Sequence, residues 1–236
     1  MSFEKISNST FSNFYIIEIW TIAKSISELA ERLYNSNTYK GVKEKPGNNI
    51  LDSSSEPHEI ISSVLTHTSR LHKLFQSTSK RDNETDEEYE FRKQRSKYLR
   101  KLLLHKKKQS HEIFKSGVRN GIEHFDERID LMNKKIISKD NQLINKALLY
   151  NITLSRKEVF ENWEAVLPFK VFIIDSGDYY MVDKDFQEQI ISIYEIFIEA
   201  SKIMDNCKKW AAGQPDEKGK IIENPVGILR TGPHKI

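Results

Sequence analysis

Val118-Arg119-Asn120-Gly121-Ile122-Glu123-His124-Phe125-Asp126-Glu127-Arg128 is the stretch on which the reading of this chain turns. Two arginines, an asparagine, a histidine and three carboxylates crowd into it, the densest set of chemically useful side chains in the sequence. Its apolar residues are regularly spaced as well. Val118, Ile122, Phe125, Ile129, Met132 and Ile136 step by four, three, four, three and four, which lays them along one stripe of a helix. At about 100° per residue, Asn120, His124, Glu127 and Leu131 fall on the other side. The spacing predicts a helix over about residues 116–137. It buries one face in its own core and presents an asparagine and a histidine, one turn apart, on the other.

The chain has 236 residues, enough for one large domain or two small ones with a substantial core. Charged residues reach 30%, but 12 Phe, 9 Tyr and 3 Trp exclude a disordered composition. The small numbers of Gly (9) and Pro (6) favour long helices over strands and turns. A formal net charge of +3 is too small to imply a nucleic-acid partner, so clustering must carry that argument. The single cysteine, Cys207, excludes an internal disulfide and a cysteine-only metal site, and a reduced, cytoplasmic compartment is the natural expectation. No secretory leader and no membrane span are expected. The apolar region 11–23 is interrupted by Glu18 and is shorter than the roughly 20 residues a span needs.

Ser12 or Asn13 is placed to cap a first helix running to about Tyr34, with Phe14, Ile17, Ile22, Ile26, Leu29 and Leu33 as its apolar stripe. Residues 35–56 read as a loop. Ser55 is placed to cap a second helix with Pro57 in its first turn, carrying Ile60, Ile61, Val64, Leu65, Leu71, Leu74 and Phe75. Thr85 and Glu88 form a capping box for a charged third helix to about Lys108. After the central helix, residues 138–165 are ambiguous, and 148–154 reads as a short strand or loop. Residues 169–174 and 179–182 flank Asp175-Ser176-Gly177-Asp178, the one good hairpin signal. Asp183 or Asp185 then caps a last helix to about Lys209. The chain therefore reads as mostly α, one domain over residues 1–212, with an exposed extension over 213–236.

Few constellations compete with the central stretch. His58, His67 and His72 lie on one predicted helix, but their spacings of nine and five do not converge as metal ligands on a helix do, and they read as surface or packing residues. His105 and His111 have no supporting partners in the sequence. There is no glycine-rich phosphate loop and no Gly-x-Ser-x-Gly elbow. The basic segment around Lys106, Lys107 and Lys108 is either a solvated helix face or a phosphate-facing surface. Within the central stretch, Arg119 pairs one turn away with Glu123, and His124 with Arg128. A charged helix surface accounts for these residues on composition alone.

Arg119-Asn120-x-x-x-His124 resembles the Arg-x4–6-His signature of HEPN domains, in which the position after the arginine is often asparagine. The resemblance covers about residues 10–210 as a pattern of helices, and six residues carry it sharply. The hairpin near 169–182 departs from the minimal helical core of that family and would be an insertion before the last long helix. The resemblance implies a helical bundle that dimerises with its two motifs facing one cleft. It implies a metal-independent endoribonuclease, such as a toxin or phage-defence component, with no cofactor and with an antitoxin or other regulatory protein as a possible partner. Its catalytic residues would be Arg119, Asn120 and His124. RNA supplies the 2′-hydroxyl nucleophile, a histidine exchanges a proton near neutrality, and an arginine stabilises charge on the phosphoryl oxygens. Lys106, Lys107, Lys108 and Arg128 are the expected nucleic-acid contacts. Two alternatives stand beside this: a catalytically silent module that binds RNA or protein, and a helical scaffold whose motif is a surface salt-bridge cluster.

Overall fold

Apolar residues at helical spacing build the first layer. The computed structural model describes residues 10–37, 39–40, 54–77, 79–104, 111–115, 120, 122–138, 146–156, 158, 166–183 and 185–212. Helix α1 (Thr10–Asn35) runs through Ser12 and Asn13 rather than being capped by them. Its buried stripe is Ile16, Ile19, Ile22, Ala23, Ile26 and Leu33, while Phe14 stays 62% exposed. Helix α2 (Ser55–Phe75) is capped by Ser54, one residue before the expected Ser55; the Ser54 hydroxyl accepts from Glu56 N at 3.4 Å. Pro57, buried in the first turn, sacrifices no hydrogen bond there.

Helix α3 (Asp86–Leu103) opens with the expected capping box. Glu88 N donates to Thr85 Oγ1 at 3.2 Å, and Thr85 N donates to Glu88 Oε2 at 2.8 Å, satisfying two otherwise orphaned amides. A short 3-10 turn (Glu112–Phe114) follows. Helix α4 (Phe125–Ile137) is the central helix, and α5 (Ile193–Ala212) the last. The lysine segment at 105–110 and the extension at 213–236 lie outside the described residues.

The expectation of a HEPN-like helical bundle with one hairpin is corrected here. The hairpin exists, as β2 (Val166–Ile173) and β3 (Asp178–Val182), but two further strands flank it: β1 (Ala147–Leu154) and β4 (Glu188–Ser192). They form a four-stranded sheet of order β1-β2-β3-β4, with β1 and β2 parallel and the other pairs antiparallel. The chain is an α/β fold. Ile190 and Ile193 fit helical spacing, which hid β4. Its pairing with β3, Tyr180 opposite Ile190 and Val182 opposite Glu188, overrides that local pattern. Neither Asp183 nor Asp185 caps α5, because both lie in the β3–β4 connection.

Alternation along β2 and β3 divides the core. Phe172, Tyr179 and Met181 join Ile191 and the buried stripes of α1, α2, α3 and α5 in the main cluster. Val171, Ile173 and Tyr180 pack with Leu154 in another. At the turn, Gly177 has φ +68, and a Cβ there would lie 2.2 Å from Tyr194 Cγ. The residue must be glycine both for its backbone and for the ring laid against it.

Candidate functional site

The apolar stripe of the central helix is what fixes the site. Ile122 and Phe125 pack against the main core. Met132 joins Leu167, Phe169 and Val182, with Phe125 and Phe186 alongside. Helical hydrogen bonds begin before α4 proper: His124 N donates to Asn120 O at 3.0 Å, and Arg128 N to His124 O at 3.2 Å. Asn120 and His124 therefore sit one turn apart, both exposed, on the side the sequence assigns to them. Arg119 lies outside the described residues.

The facing wall comes from the β3–β4 connection. Asp183 Oδ1 accepts from Asp185 N at 2.8 Å and from Gln187 N at 2.9 Å. Asp183 Oδ2 accepts from Gln189 Nε2 at 2.9 Å. Phe186, at φ 60, turns the loop so that its ring lies 4.4 Å from Lys135 Nζ of α4. Helix, loop and the start of β4 together line an open cavity of about 620 Å³, with Asn120, His124, Glu127, Arg128, Leu131, Asp183 and Gln189 on its wall. The four residues on the outward face of the central helix, Asn120, His124, Glu127 and Leu131, all reach it. Asp183 and Gln189 were not legible as site residues, because only strand pairing brings them here.

Two features give the cavity chemical character. His124 Nδ1 lies 3.2 Å from Glu127 Oε1, a contact that orients the ring and leaves Nε2 for a ligand. Arg128, expected on the surface, is 7% exposed. Among the described residues its Nε and Nη1 have no hydrogen-bond partner. Burial pulls the guanidinium below its ordinary pKa, while the Asp183 carboxylate pushes it back up. It remains a cation. A buried cation with idle donors costs free energy and is matched to an incoming anion, most of all one with two oxygens for its planar fork.

His58 and His111 are buried and serve packing. His58 is 3% exposed, with Nδ1 3.3 Å from Tyr179 Oη and Nε2 3.4 Å from Thr153 Oγ1. His111 Nδ1 meets Glu199 Oε1 at 3.1 Å. Glu199 also accepts from Glu112 N at 3.0 Å and Ile113 N at 3.1 Å, tying the 3-10 turn to α5. Burial raises the Glu199 carboxyl against the pull of these donors. Among the described residues, no group of three or more His, Cys, Asp or Glu side chains is placed to hold a metal, and no helix is long and apolar enough to cross a membrane. Compared with known proteins, the chain matches no family model, and no curated protein or solved structure matches it.

Proposed function

We propose that the cavity beside α4 binds the backbone of RNA and cleaves it by attack of the 2′-hydroxyl on the adjacent phosphorus, without a metal ion. The observation that carries this reading is Arg128, a buried guanidinium with two unpartnered N–H donors, in the same cavity as Asn120 and His124. The guanidinium it brings to the cavity wall pairs with the non-bridging phosphoryl oxygens and stabilises the charge that grows on them. His124 Nε2 takes the proton from the 2′-hydroxyl, with Glu127 orienting the ring. Oxygen 2′ bonds to phosphorus, the bond to the 5′-oxygen breaks, and that oxygen leaves as an alcohol after taking a proton from water. The products are a 2′,3′-cyclic phosphate and a 5′-hydroxyl. Asn120 offers an amide to the phosphate or the ribose.

The likeness of Arg119-Asn120-x-x-x-His124 to the HEPN motif supports the same chemistry, with Arg119 as a second cation. In this reading one chain supplies Asn120, His124 and Arg128. A second copy facing the cavity would bring a second set, and the mass of the species in solution distinguishes the two arrangements. One observation favours binding without cleavage: Glu127 also lines the cavity, and its charge opposes a phosphate. Incubating single-stranded RNA with the wild type and with His124→Ala separates cleavage from binding alone.

A further inference from the structure

Phe125 follows His124 in sequence and faces a second group of unusual residues. Its ring stacks on that of Tyr150, with centroids 5.6 Å apart and an interplanar angle of 23°. Lys170 Nζ lies 4.4 Å from the Phe125 centroid and 5.5 Å from that of Tyr150. Tyr150 belongs to β1, at the edge of the sheet, and is 49% exposed. Among the described residues no carboxylate pairs with Lys170.

The backbone around this group is strained. Lys170 has φ 75 and Asn151 φ 53, a left-handed conformation that asparagine accepts and lysine rarely adopts. The two occupy the same gap in the ladder, between the pairs Tyr150–Phe169 and Ile152–Val171. The register of β2 against β3 also slips between Phe169 and Val171, the mark of a bulge. Bulges re-aim side chains, and strain of this kind is kept where a side chain is needed in a particular place. Here it accompanies an ammonium held over two aromatic rings, one of them half open.

We infer that Tyr150 and Lys170 form a stacking platform for an unpaired nucleobase of the substrate, which makes that substrate single-stranded RNA. This rests on the proposed function for the nature of the ligand. The base stacks on the face of Tyr150 turned away from Phe125, and the Lys170 ammonium meets the adjoining phosphate. A base inside a duplex has both faces covered by its neighbours and is excluded.

The test is fluorescence anisotropy with a short labelled single-stranded RNA and the matching duplex, in the His124→Ala background so that the probe survives. Tyr150→Ala weakens single-strand binding at least about fivefold, Tyr150→Trp preserves it, and duplex binding is weaker and unchanged by either. Lys170→Asn tolerates the positive φ and lowers the slope of log affinity against log salt by about 0.7. Single-strand affinity unchanged in both Tyr150→Ala and Lys170→Asn, with thermal unfolding still cooperative, overturns the platform, as does failure of the wild type to bind single strands. Cleavage with Tyr150-independent affinity sinks the platform alone. Tyr150-dependent binding without cleavage sinks the nuclease reading alone.

Discussion

Arg128 and Asp183 line the same cavity, yet no ion pair closes between them. Asp183 spends its oxygens on Asp185 N, Gln187 N and Gln189 Nε2, and among the described residues Arg128 Nε and Nη1 are left without partners. The loop carboxylate is satisfied without the arginine, so the arginine is held ready at the expense of stability. Arg128→Met keeps the apolar stem and removes the buried charge. We expect it to raise unfolding stability by about 1–3 kcal/mol and to abolish RNA binding. Denaturant midpoints and binding isotherms on the same variant check both halves. A destabilised variant that still binds RNA contradicts this role.

Gly177 is the strictest position in the β2–β3 turn. Gly177→Ala meets a left-handed φ and the Tyr194 ring together, and we expect a loss of at least about 2 kcal/mol by urea denaturation. Tyr194 cannot easily move aside, because its hydroxyl donates to Ile174 O and lies 2.8 Å from Tyr39 Oη. A change under about 0.5 kcal/mol would show that the ring is not seated on the turn.

Glu84 predicts an acid-sensitive clasp before α3. Arg92 Nε and Nη2 donate to its two oxygens at 2.8 and 2.7 Å. These bonds hold the carboxyl down at about 2, from an ordinary value of 4.5. A depressed carboxyl contributes stability that is fully present above its unfolded value and lost as the pH falls through the folded one. The contribution therefore fades between pH 4.5 and about 2. Stability measured across that window falls more steeply in the wild type than in Glu84→Gln, and equal slopes contradict the clasp.

Cys207 is 2% exposed, and burial pushes its thiol up to about 12. The thiolate is the reactive form. Native protein at pH 8 should not react with a thiol-specific disulfide reagent over minutes, and should titrate one thiol per chain in denaturant. Rapid reaction of the native protein would mean that α5 opens at this point.

Local signals were legible where local physics decides. Thr85 and Glu88 announced the start of α3 because a capping box is a three-residue interaction. The stripe Ile122, Phe125 and Met132 announced which face of the central helix is buried. Asp175-Ser176-Gly177-Asp178 announced the turn between β2 and β3. What stayed hidden depends on partners distant in sequence. The β4 strand reads as the start of a helix until β3 pairs with it. Asp183 and Gln189 become cavity residues only through that pairing. Arg128 looks like a surface charge because periodicity places it beside the stripe but does not show the packing that buries it.

The most direct test of the central claim is incubation of a 5′-labelled single-stranded RNA with purified wild type and His124→Ala in the presence of a chelator. His124 is exposed, so its replacement should change stability by less than about 0.5 kcal/mol. The wild type should yield fragments ending in a 2′,3′-cyclic phosphate, and His124→Ala should leave the RNA intact. Intact RNA from the wild type, or the same cuts from both proteins, contradicts that claim.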